Sequence, residues 1–252
     1  MTAFSALVHQ VYGAIHRTDL PSYVDQDPTG DFGSPDAPPL QIVVLGDSSV
    51  TAPGIDINGS WSRRVAFHLS DRYHIRLRSV AVGGSKARDL QGFQLDPAIA
   101  VGGDMALLSI GANDAMRGTP IARFEGELDA ALTRLEHHFP MIGISGVGDL
   151  GTLPRLPSLA RTIARTRARS IDRAIRRVAH EHPGVVKGRS WGPAWLAFDN
   201  DPESMFSGDL FHASEKGHEL FGNAAISVAE TLLAAGEGGS LSGSPGSLES
   251  KT

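Results

Sequence analysis

The chain has 252 residues, 41% of them apolar and 20% charged, with a formal net charge of -5 and no cysteine. That apolar content is enough for one sizeable core and excludes wholesale disorder. The absence of cysteine excludes a disulfide framework, thiolate metal sites and cysteine nucleophiles, and the acidic balance gives no global pull toward nucleic acid.

In chain order, the first predicted element is N-terminal. Phe4, Leu7, Val8, Val11, Tyr12 and Ile15 recur at helical spacing and read as an amphipathic helix packed on the domain. His9 and Gln10 interrupt the stretch and no basic segment precedes it, which argues against a signal peptide. No run approaches the ~20 apolar residues that a membrane span needs. A cytoplasmic protein without stable membrane insertion is therefore expected, with peripheral membrane contact as the alternative. Residues 21–40, rich in Pro, Asp and Gly, read as an irregular lead-in, so that residues 1–40 precede the domain proper. Strands are then expected at 41–46, 75–82, 104–110, 140–146 and 184–187. Helices are expected at 60–72, 86–100, 121–138, 158–181 and 214–235. Short apolar runs alternating with helices predict a five-stranded parallel sheet covered on both faces, a three-layer α/β/α sandwich over residues 41–235. The Gly/Ser-rich stretch 236–252 reads as a disordered tail.

Open parallel sheets bind ligands beyond the carboxyl ends of their strands, so the residues after each strand matter most. Gly46-Asp47-Ser48-Ser49 follows the first, Gly83-Gly84-Ser85-Lys86 the second, Gly111-Ala112-Asn113-Asp114 the third and Gly146-Val147-Gly148-Asp149 the fourth. Asp209 and His212 stand three apart before the last helix. Singly, each of these is an ordinary loop. Together they hold a hydroxyl, an imidazole, a carboxylate, backbone N–H donors and a side-chain amide, the parts of an acyl-transfer site.

The set resembles the SGNH/GDSL hydrolases, a family of serine esterases and lipases with a flavodoxin-like fold. GDS at 46–48, VGGS at 82–85, GAND at 111–114 and DLFH at 209–212 occur in the family's order, across roughly residues 41–230. The resemblance implies Ser48 as nucleophile, His212 as general base and Asp209 as the acid that orients it. It also implies an oxyanion hole made by the backbone N–H groups of Ser48 and Gly84 and by the Asn113 amide. It implies no cofactor or metal, and a small-molecule or lipid ester as substrate. There are departures. Ser49 stands where the family usually has Leu, a change expected to alter packing rather than chemistry. Ser79 stands where an Asn is common, Lys86 replaces a small residue, and Ala213 follows the histidine where Pro is frequent.

Other readings compete. Ser48 alone would pass as a helix cap. His218 reads as structural, as do His137, His138, His180 and His182, which lack carboxylates at metal-ligand spacing. Asp47 and Asp114 are expected to support their own turns rather than to act as a glycosidase pair. The seven arginines of residues 161–180 read as the solvated face of an amphipathic helix, with an anionic lipid or nucleic acid surface as the sharper alternative. The Pro-interrupted stretch 150–159 is expected to form a flap beside the site. Of the whole-protein alternatives, one is a non-catalytic domain of this fold that recognises a glycan, lipid or protein. The others are an acyltransferase or thioesterase using the same site, and a nucleotide-binding flavodoxin-like protein, for which GDSS makes a poor phosphate cradle.

Overall fold

A computed structural model of the protein describes residues 18–240, with side chains through Gly236. The expected N-terminal helix falls on residues 1–17, outside the described residues, as does the chain beyond Ser240. Six strands form one sheet: β1 (Gly30–Phe32), β2 (Pro39–Gly46), β3 (His74–Ser79), β4 (Met105–Ser109), β5 (Met141–Ile144) and β6 (Val185–Lys187). Their order is β1-β3-β2-β4-β5-β6. All neighbours are parallel except β1, which pairs antiparallel with β3 through Gly30↔Leu77 and Phe32↔Ile75. The five parallel strands thus follow the flavodoxin-like order, whose switch point lies between the first and third of them, here β2 and β4.

The sixth strand corrects the expected count of five. It lies inside the segment read as irregular lead-in, and three residues are too few to show a period. Long-range contacts hold it instead: Phe32 meets Phe67 edge-on with ring centroids 4.9 Å apart, and Arg78 Nη1 is 2.7 Å from Asp31 Oδ1.

Alternation along the inner strands explains why both faces are buried. Val43 and Leu45 of β2, with Ala106 and Leu108 of β4, pack against α6 (Ile121–Glu136) and α7 (Ser158–Glu181). Ile42 and Val44, with Met105 and Leu107, pack on the other face against α2 (Trp61–Leu69) and α10 (Glu215–Ser240). Between them in sequence lie α1 (Ser48–Thr51), α3 (Ala87–Asp89), α4 (Leu95–Val101), α5 (Ala112–Met116), α8 (Ala197–Asn200) and α9 (Pro202–Met205). A five-residue π-turn, Leu90–Gln94, joins α3 to α4. The last helix continues through Ser240, five residues into the stretch read as a disordered tail.

On α7 the buried stripe runs through Ala164, Ala168, Ile171, Ile175 and Val178, whereas the apolar Ile163 is exposed. Several of its arginines are engaged within the molecule. Arg165 pairs with Asp149, Arg177 with Glu125, and Arg169 lies over the Trp191 ring.

Candidate active site

The site forms where β2 ends. Gly46 has φ +147, and a Cβ there would collide with the Ser109 carbonyl of β4, so only glycine lets the two strands pass this closely. The fully buried Gln94, from the π-turn, holds the Gly46 peptide on both sides. The Gly46 N–H donates to Gln94 Oε1 at 2.8 Å, and Gln94 Nε2 donates to the Gly46 carbonyl at 2.9 Å. Asp47 then caps α1, accepting from the Ser49 N–H at 3.0 Å through Oδ1 and from Asn113 Nδ2 at 3.3 Å through Oδ2. Burial pushes the Asp47 carboxyl up, against the lowering effect of those hydrogen bonds. Ser48 is the first residue of α1, where backbone N–H groups have no intrahelical partner.

The carboxylate and imidazole come from one short loop. A bridge between Phe206 and Ala213 closes it, and the Ser207 N–H donates to the His212 carbonyl at 2.8 Å. Inside, Asp209 Oδ1 accepts from the Phe211 N–H, the His212 N–H and Ser207 Oγ, each at 3.0 Å. Asp209 Oδ2 lies 2.6 Å from His212 Nδ1. Burial alone would raise the Asp209 carboxyl, but the His212 ring and the two backbone donors outweigh it and hold it down at about 2. An ionised carboxylate only accepts, so Nδ1 bears the proton and Nε2 is left as the basic nitrogen.

The segment after β3 supplies the next pair of glycines. The Gly83 N–H donates to Asp25 Oδ2 at 2.9 Å, while Gly84 adopts φ +77, which favours glycine. The other oxygen of Asp25 accepts from Thr51 Oγ1 at 2.6 Å, so the lead-in ties this turn to α1. Ser79 supports its own turn, accepting from the Ala81 N–H at 3.4 Å. Asn113 is carried on α5, and its neighbour Asp114 is buried and accepts from the Ala87 N–H at 2.9 Å. Burial pushes the Asp114 carboxyl up. Asp47 thus supports its own turn, as the sequence predicts, whereas Asp114 ties the segment that carries Asn113 to the start of α3.

Ser48, Asn113 and His212 line one outer cavity of about 150 Å³, with apolar walls that include Met116, Leu153 and Phe206. Asp209 stands behind His212, and Gly84 lies outside that lining. Residues Leu150, Thr152 and Leu153 of the expected flap line this cavity, as does Asp149. His218 also reaches it. Burial pushes its ring down to about 3, which keeps it neutral, and its Nδ1 accepts from the Trp61 N–H at 3.3 Å. A second, inner chamber of about 110 Å³ lies on the α10 side of the sheet, and the two share Asp47, Ser49, Ala112, Trp195 and Phe221.

Sequence reading missed Gln94 and Asp25. Neither sits in a motif: one is a glutamine within a helical stretch, the other an aspartate among prolines. His182, read as structural, bridges Glu136 at 2.8 Å and Asp129 at 3.1 Å. Among the described residues, no cluster of three or more His, Asp or Glu is arranged to hold a metal, and no helix is long and apolar enough to cross a membrane.

Comparison with known proteins gives a family and a fold. The sequence model of the GDSL-like lipase/acylhydrolase family matches residues 44–220. Among solved structures, the chain is similar to LAE5, described as an alpha/beta hydrolase enzyme from the metagenome of Lake Arreo, Spain. The identity is 21%, the match covers 78% of this chain and 97% of that one, and the TM-score is 0.61. It is similar to the psychrotrophic esterase EstA from Pseudoalteromonas sp. at 16% identity, covering 77% and 98%, with a TM-score of 0.60. It is also similar to a catalytic mutant of Axe2, an acetylxylan esterase from Geobacillus stearothermophilus. There the identity is 16%, the coverage 76% and 94%, and the TM-score 0.60. No curated protein matches the chain by sequence.

Proposed function

The chain belongs to the GDSL-like lipase/acylhydrolase family, and on that premise we propose that it hydrolyses carboxylic esters through an acyl-enzyme on Ser48. His212 acts as general base and Asp209 as its orienting acid. The observation that supports this reading most is the 2.6 Å contact between His212 Nδ1 and Asp209 Oδ2 behind a cavity that Ser48, His212 and Asn113 line together.

The steps follow from the groups present. Ser48 Oγ attacks the ester carbonyl carbon and its proton passes to His212 Nε2. The imidazolium that forms is stabilised by the Asp209 carboxylate, which stays ionised because its own proton affinity is so low. The carbonyl oxygen becomes an oxyanion, held by the backbone N–H groups of Ser48 and Gly84 and by the Asn113 amide. Asn113 spends one amide hydrogen on Asp47 and keeps the other for this purpose. The carbon–oxygen bond to the leaving group breaks, and that oxygen takes the proton from His212. Water then attacks the acyl-enzyme by the same route in reverse, releasing the acid and Ser48. Thioester cleavage or acyl transfer to another alcohol would use the same groups and differ in what resolves the acyl-enzyme.

Hydrolysis of p-nitrophenyl esters by wild type and Ser48→Ala tests the reading. Wild type is expected to turn over. The variant is expected to lose activity by a factor on the order of 10⁴–10⁶. An alanine variant as active as wild type, or a wild type that binds esters without cleaving them, contradicts it, the latter in favour of a non-catalytic binding domain.

A further inference from the structure

The inner chamber is not needed for the acyl-transfer steps, yet it opens beside the nucleophile. Its floor is the face of the sheet presented by Leu107 and Gly143, and α10 covers it with Ala224, Ala225 and Val228. Small residues, Gly143, Ala224 and Ala225 among them, line it. A Cβ on Gly143 would stand 2.6 Å from Val228 Cγ1 and 2.7 Å from Leu107 Cδ2, so the glycine is what lets these two side chains pack against the sheet. Ser109 of β4 and Ser145, just beyond β5, add hydroxyls to the lining, but these are turned on each other. Ser145 Oγ donates to Ser109 Oγ at 3.0 Å, and Ser49 Oγ is 2.6 Å from Ser109 Oγ. These two bonds use all but one of the three hydroxyl hydrogens, so, Asp47 and Arg189 apart, the lining makes little polar demand of its occupant.

Ser49 sits at the mouth and lines both cavities. At the same position the GDSL motif has leucine, whose larger branched side chain would project into the opening. The two cavities also differ in what they can receive. His212 must return a proton to the leaving oxygen, so the alcohol part of the ester belongs in the outer cavity, which His212 lines. The inner chamber lacks His212 and begins at Asp47, Ser49 and Ala112, on the side left for the acyl group.

We infer that the inner chamber is the acyl-tail subsite, opened by Ser49, and that it selects linear acyl groups of about four to six carbons, since a dry cavity of ~150 Å³ takes one benzene ring and this one is about 110 Å³. The inference rests on the acyl-enzyme reading above. Each buried methylene contributes about fourfold to kcat/KM, so the four further methylenes of hexanoate give up to roughly 250-fold over acetate.

The test is the ratio of kcat/KM for p-nitrophenyl hexanoate to that for the acetate, measured on wild type, Ser49→Leu and Ala225→Leu. Ala225→Leu fills the chamber from the opposite wall without touching the Ser49 hydroxyl. A ratio is insensitive to the fraction of enzyme that folds. Wild type is expected to favour hexanoate and to fall off beyond about six carbons. Both variants are expected to lower the ratio by tenfold or more. Ratios unchanged in both variants while the esters are still cleaved overturn the chamber's role and leave the esterase reading standing. If wild type cleaves no ester of any length, both fall together.

Discussion

The two halves of the proposed catalytic apparatus are built in opposite ways. The loop that offers Asp209 and His212 is shaped mainly from within, by hydrogen bonds running between residues 206 and 213, with Arg155 reaching in from outside to the carbonyls of Asp209 and Leu210. The corner that presents Ser48 is held from far away in the chain: by Gln94 on the Gly46 peptide, by Ser109 on the Asp47 N–H, and by Asp25 on Thr51. Their carboxylates differ in the same sense. Hydrogen-bond donors within the loop keep Asp209 ionised at about 2, whereas burial between packed elements pushes Asp47 up. His212 is thus oriented chiefly by local geometry, and Ser48 by the tertiary fold.

If that contrast holds, damage to the loop lowers activity out of proportion to stability, while damage to the corner weighs more on stability. Among the residues that position the reacting groups, the largest effect on turnover is expected from Asp209→Asn, which keeps an acceptor for the Phe211 and His212 N–H groups but ceases to enforce the His212 tautomer. Turnover should fall by a factor on the order of 10³–10⁴, and loss of a carboxylate whose depressed value contributes about 2 kcal/mol should lower the melting temperature near neutral pH by about 5 °C. The same variant carries a pH signature. A carboxyl depressed from 3.8 to about 2 contributes stability that is present above about pH 4 and lost as pH falls toward 2. Melting curves between those two values should therefore be less pH-dependent in Asp209→Asn than in wild type.

A smaller loss of activity, but a larger loss of stability, is expected from Gln94→Leu. It leaves the Gly46 N–H and carbonyl buried without partners, at a cost of about 2–4 kcal/mol. That corresponds to about 5–15 °C in melting temperature for a chain of this size. Turnover should fall about tenfold to a hundredfold, because Ser48 is displaced and not removed. Equal melting temperatures for the two variants would break the comparison.

The same contrast decides what sequence reading could find. The Asp209–His212 loop is legible because its contacts are three residues long, and the glycines after β2, β3 and β4 are legible because strand crossings and tight turns demand them. The parallel strands are legible through their buried apolar runs. What sequence reading does not reach is whatever depends on partners distant in the chain. Gln94 looks like any polar helical residue until its burial is seen. Asp25 is one acid among several in a Pro-rich stretch. β1 has only three residues and exists by virtue of β3. The exchange of leucine for Ser49, expected to affect packing alone, lies at the mouth of a chamber that forms only when α10 closes over the sheet.

The central claim is that Ser48, and not its neighbour, is the nucleophile. Treating the wild-type protein with a fluorophosphonate and mapping the adduct by peptide mass spectrometry tests it directly. The account predicts one phosphonyl group on Ser48 and none on the Ser48→Ala variant. An adduct on Ser49, or labelling that survives Ser48→Ala, would contradict it.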